Sequence, residues 1–270
     1  MKRLVARVPI ALAIGATMLV PKADAQTTPI STCGFTADHP GFYQVTQNLA
    51  FTTSDCITIS ADDVTLDLGG FEISGNGSRA AINVTPTDMN PDRGKQARTV
   101  VRNGAVTCGP PLTASSAGVF NISGIVEGLR VTFCGIGISM LAAGVVRDNT
   151  ATFNNIGIDV TDGIVIGNLV TNNMGLPITP GTASINGTGI HVSGQAVIKD
   201  NNASDNRIGI TVIDPVGGST LIGNIANNNT ETGLRVFCPS NVTDNTFVNN
   251  GVKNIDPSSA DCHIEDTVAP

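Results

Sequence analysis

One pattern recurs through the second half of the chain: a glycine, an aliphatic residue, a variable residue, then a second apolar residue. It stands at Gly137-Ile138-Ser139-Met140, Gly157-Ile158-Asp159-Val160, Gly189-Ile190-His191-Val192, Gly209-Ile210-Thr211-Val212 and Gly233-Leu234-Arg235-Val236, with glycine spacings of 20, 32, 20 and 24 residues. Between these pieces lie segments that close on Asn149, Asn168, Asn201, Asn224 and Asn245, and five residues after each comes another: Asn154, Asn173, Asn206, Asn229 and Asn250. The unit is strand, turn, strand, asparagine turn, short strand, asparagine turn. Such a period, with short β-branched strands and no helical rhythm, closes one turn of a β-solenoid whose layers stack about 4.8 Å apart as parallel strands. Ile138, Ile158, Ile190, Ile210 and Leu234 are expected inside, one per layer. Asn149, Asn168, Asn201, Asn224 and Asn245 are expected to form a structural ladder, because asparagine tolerates unusual backbone angles and its amide can bond neighbouring turns.

The first half carries the unit less regularly. Residues 128–134 align with 148–154 at an offset of 20, which sets Leu129 where Asn149 stands and starts the first ladder one turn later. In this register Cys108 and Cys134 end the third short strand of consecutive turns, at a separation suited to a disulfide. Cys33 with Cys56 and Cys238 with Cys262 follow from proximity in sequence alone. An even number of cysteines, six, fits an oxidising compartment. The N-terminus agrees: Lys2, Arg3 and Arg7 precede an apolar stretch and the small-residue site Ala23-Asp24-Ala25, which reads as a cleavable signal peptide and a secreted or periplasmic protein. The apolar stretch is too short for a membrane span. The expected division is 1–25 signal peptide, 26–60 N-terminal cap region, 61–255 parallel β-helix and 256–270 C-terminal tail. A net charge of −7 argues against nucleic acid as a partner.

Gly41-Phe42-Tyr43-Gln44-Val45, Asp55-Cys56-Ile57-Thr58-Ile59 and Val64-Thr65-Leu66-Asp67-Leu68-Gly69-Gly70-Phe71, followed by the asparagine-closed repeats, resemble right-handed parallel β-helix repeat proteins of the pectate-lyase-like superfamily. The resemblance implies an all-β, single-domain, right-handed parallel β-helix of three-strand turns. For function it implies polysaccharide as the partner class, either as a binding or cell-surface structural module or as a lyase, epimerase or hydrolase. Calcium would accompany a lyase; no other cofactor is implied. The Asn-Thr-Asp, Gly-His-Gly and Arg-Ile-Lys segments of polygalacturonases are missing, and so is the Asp-Pro-His-Asp string of alginate epimerases. Asp62-Asp63 sits where a turn is expected.

The variable residue of the repeat gives the one candidate site. Phe120, Ser139, Asp159, His191, Thr211 and Arg235 fall at the same outward position on successive layers and are expected to form a surface stripe. Asp159 and His191, on neighbouring turns, are close enough for a carboxylate to orient an imidazole as a general base or acid. Arg235 could hold a uronate carboxylate, and Asp162 adds an acid in the turn after Asp159. Phe120, Ser139, Asp162 and Thr211 would contact the ligand. The plain alternative is that any solenoid is polar at its outward positions. Three insertions, Thr85 to Arg98, Gly109 to Ser116 and Met174 to Asn186, leave the solenoid at corners, where loops on a rigid scaffold often carry function. Aromatic side chains for sugar stacking are scarce, with one Tyr and no Trp.

Overall fold

The glycine-led strands form a single column. Phe35–Ala37, Ile57–Ile59, Ile82–Val84, Ala117–Asn121, Ile136–Met140, Ile156–Val160, Thr188–Val192, Ile208–Val212, Thr232–Val236 and Lys253–Pro257 pair in that order, all parallel, as a ten-stranded sheet. A second parallel sheet, of fifteen strands, runs from Thr27–Ile30 to His263–Glu265 and takes up the other strands of each turn. The chain is a parallel β-solenoid of about nine turns, without helices among the described residues, and parallel crossovers take the right-handed sense. The structure, a computed structural model, describes residues 27–52, 54–76, 79–85, 98–109, 116–175, 187–213 and 218–270. The signal-peptide segment and most of the three insertions lie outside these residues.

Inward residues stack by type from layer to layer. Val119, Ile138, Ile158, Ile190, Ile210 and Leu234 hold one register, and each is fully buried. The β-branched majority suits half-extended backbone packed on both sides by neighbouring strands. Strands of residues 27–60 and of 256–270 belong to the same two sheets as the body. The irregular sequences there still offer alternating apolar residues, such as Ile57 and Ile59, and that alternation is all a layer needs.

Two asparagine ladders line the corners. Asn149, Asn168, Asn201, Asn224 and Asn245 are each at most 2% exposed. The backbone N–H of Asn168 donates to Oδ1 of Asn201 at 3.0 Å, its Nδ2 to the same atom at 2.9 Å, and Nδ2 also to the Val146 carbonyl of the preceding turn at 2.9 Å. The pattern repeats turn by turn to Asn245. At Leu129 there is no amide, and Gly124–Thr132 runs on as one nine-residue strand; from Asn149 onward the strands on either side of the corner part. A second ladder runs through Asn154, Asn173, Asn206, Asn229 and Asn250. At the N-terminal end the same work falls to Asp67, which accepts hydrogen bonds from the Gly69 N–H, Arg102 and Asn103. Burial pushes its carboxyl up, but those donors and the Arg102 charge outweigh it and hold the pKa below the ordinary carboxylate value.

The second ladder explains the repeated glycine. A Cβ on Gly157, Gly189, Gly209 or Gly233 would lie 2.9, 2.7, 2.8 or 2.5 Å from Nδ2 of Asn173, Asn206, Asn229 or Asn250, and as close to a backbone oxygen of the following turn. Neither obstacle can move, since one is a ladder amide and the other is sheet backbone. Gly209→Ala is therefore expected to cost about 1–3 kcal/mol through overpacking, read as a fall in the urea midpoint at constant slope.

Candidate functional site

Strand register brings the predicted stripe together. Phe120, Ser139, Asp159, His191, Thr211 and Arg235 are direct neighbours across five consecutive strand pairs, and Asp256 extends the row. Nδ1 of His191 and Oδ1 of Asp159 are 2.7 Å apart. That contact fixes the ring orientation and leaves Nε2 as the atom for any further chemistry.

The stripe is not a surface stripe at its centre, which corrects the expectation. Ser139 is 2% exposed, His191 7% and Thr211 1%. Register supplies a reason for the two hydroxyl residues: Ser139 lies between Phe120 and Asp159, and Thr211 between His191 and Arg235, so long neighbours only one strand away shield a short side chain. Nε2 of His191 and Oγ1 of Thr211 are both buried without a hydrogen-bond partner among the described residues. Arg235 does not face the pair. Its Nε lies 3.6 Å from Asp256 on the next turn. Asp162 turns away as well: its Oδ1 accepts the Gln195 N–H at 2.8 Å, and it lines a shallow groove with Ile164, Gln195 and Val197. Asp159 and His191 are thus the only two residues of the proposed acid–base set that meet.

A buried imidazole with one nitrogen bonded and the other unsatisfied depends on its single partner. Asp159→Ala would leave both ring nitrogens unpaired and is expected to destabilise the fold by about 1–3 kcal/mol, measured by chemical denaturation. Among the described residues, no three His, Cys, Asp or Glu side chains converge as a metal site would require. The described residues do not fit a calcium site.

A different surface feature escaped the sequence reading. Phe133 and Phe153 occupy equivalent corners of adjacent turns, immediately beyond the paired Thr132 and Thr152. They are 44% and 49% exposed, and their rings stack with centroids 5.5 Å apart and planes 12° from parallel. Both have left-handed backbones, with φ of 57° and 59°. At the matching corner, the later turns carry Asn172, Asp205, Asn228 and Asn249, residue types that reach this region cheaply. Phenylalanine there costs about 1–2 kcal/mol. The surroundings hold it in place: Cys134 is bonded to Cys108, and the N–H groups of Cys134 and Asn154 donate to Asn154 and Asn173 at 2.9 and 2.8 Å. Beside the rings runs an outward column of hydroxyls, Thr107, Thr132, Thr152 and Thr171, in direct register. The 20-residue offset that superposes the two phenylalanines was the available signal. What it lacked was which way a corner residue points.

Fold and surface define a parallel β-solenoid with one exposed aromatic corner. Comparison of the chain with protein-family profiles, curated proteins and solved structures gives no match.

Proposed function

We propose that this chain is an exported solenoid module that binds polysaccharide along its surface, with the Phe133–Phe153 corner as the contact. The observation that carries this reading is the placement of two stacked, half-exposed aromatic rings at a backbone position that the following four turns give to Asn or Asp. Strain of this kind concentrates where function maintains it. A slipped stack leaves part of each ring face uncovered, and pyranose rings present apolar C–H faces that pack on such surfaces. Three disulfides accord with export to an oxidising compartment. The overall negative charge favours a sugar partner over nucleic acid.

The test separates binding from stability. Phe133→Asn and Phe153→Asn insert the residue that the corner prefers, so each variant is expected to melt no lower than the parent. Binding on a glycan array should fall about tenfold, the equivalent of roughly 1.4 kcal/mol per ring. A fall in melting temperature with unchanged glycan binding would assign the rings to structure and leave the solenoid as a surface scaffold. A parallel assay for new unsaturated uronate ends addresses the catalytic reading through Asp159, His191 and Arg235. Release of such ends, abolished by His191→Ala, would establish a lyase.

A further inference from the structure

We infer that the ligand of this corner is an extended, uncharged glycan lying along the solenoid axis, an inference that rests on the binding reading above. Three features of the same surface select it. The first is direction. Phe133 and Phe153 repeat along the axis, one per turn, and the threonine column repeats beside them in the same sense. A chain laid along the axis meets a ring and a hydroxyl at each step, whereas a chain laid across it meets one ring only. Rings and hydroxyls therefore recur at the strand spacing of about 4.8 Å, close to the rise of an extended pyranose chain.

The second feature is charge. Thr132 and Thr152 are neutral, and the residue that follows the two rings in the corner row is Asn172. The first formal charge farther along the corner row is a carboxylate, Asp205, and the hydroxyl column begins beside Glu72, whose Oε1 accepts from Thr107 at 2.6 Å. A polyuronate would approach carboxylates at both ends of the row. A cation, Arg130, stands in register with Thr150, one outward position back from Thr132 and Thr152. The third feature is the type of polar group. Threonine hydroxyls and an asparagine amide both donate and accept, as sugar hydroxyls do, and a rigid sheet holds them in line before any ligand arrives, which limits the ordering cost of binding.

The experiment titrates the full chain, by calorimetry, with neutral β-linked oligosaccharides of two to six rings (cello-, xylo-, manno- and laminari-series) and with oligogalacturonate and oligomannuronate of matched length. The expected result is that at least one neutral series binds and tightens with each added ring up to the length of the row. Uronate oligomers should bind about tenfold more weakly or worse, and neutral binding should be insensitive to salt. Phe153→Asn should lose about tenfold, and Phe153→Tyr should retain affinity. Tighter binding of a uronate series, weakened by salt and lost in Arg130→Gln, would overturn the uncharged ligand while keeping the glycan reading. No binding of any series by a natively folded chain would overturn both. Neutral binding that ignores the Phe153 substitution would overturn the placement at this corner.

Discussion

Asn206→Ala is expected to unfold at a much lower urea concentration than the parent, with a loss of about 3–5 kcal/mol. The size follows from the number of partners stranded together. Asn206 is fully buried. Its Oδ1 accepts from the backbone N–H and the Nδ2 of Asn173, at 2.9 and 3.0 Å, and its Nδ2 donates to the carbonyls of Val170 and Ser204, at 2.8 and 3.0 Å. Truncation removes all four bonds and strips the Asn173 N–H of its partner, while the Asn173 Nδ2 keeps the Ala151 and Thr171 carbonyls, and a buried group left without a partner costs about 1–3 kcal/mol. Gly189→Ala in the same chain should not recover the loss, because its Cβ would still lie 2.7 Å from the Gly209 carbonyl oxygen. The neighbouring Asp205 gives the control: exposed, with φ of 57°, it should accept glycine with no loss of stability. If the Asn206 and Asp205 variants unfold at the same midpoint as the parent, the ladder does not carry the load assigned to it.

Reduction is the second large effect. The bridges Cys33–Cys56, Cys108–Cys134 and Cys238–Cys262 close segments of 23, 26 and 24 residues. A loop of that size restricts the unfolded chain by about 3 kcal/mol per bridge. The three should not open together. Cys108 and Cys134 are 1% and 0% exposed, whereas Cys238 and Cys262 are both partly accessible, and a thiolate must reach the sulfur to exchange with it. With graded reductant and thiol trapping, Cys238–Cys262 is expected to open first, followed by exchange of the last turns. In a solenoid each turn contacts only its neighbours, so loss at one end need not spread. Full reduction should lower the midpoint cooperatively, and simultaneous opening of all three bridges would contradict this order.

The sequence was most informative where a feature had to recur in every layer. The glycine column, both ladders and the Cys108–Cys134 pair are all consequences of one register, and a register survives in the numbering of the residues. Ser139, Asp159, His191, Thr211 and Arg235 were aligned for the same reason. Their exposure was not legible, because alternation tells which face a side chain takes and says nothing about the height of the neighbours that shade it. Phe133 and Phe153 were missed for a related cause. Strand alternation fails at a left-handed corner, so it does not tell which way a residue there points. The pairing of Arg235 with Asp256 was hidden because the last layers lack the regular motif that would have placed Asp256 in the row.

The ladders also give the molecule a growth direction. Every rung offers its backbone N–H toward the following turn, and its Oδ1 receives from the preceding one. Removing a layer from the leading side exposes side-chain amides, whose Oδ1 and Nδ2 water satisfies, whereas removing one from the trailing side uncovers backbone N–H donors, the groups that folded proteins least tolerate unpaired. Substitutes stand at the trailing side: Oγ1 of Thr267 accepts the Asn245 N–H, and Oδ1 of Asn254 takes both donors of Asn250. The solenoid is thus a polar stack with a terminator, to be lengthened by inserting whole layers upstream of Thr267 and Asn254 and shortened only if that terminator is moved with the cut.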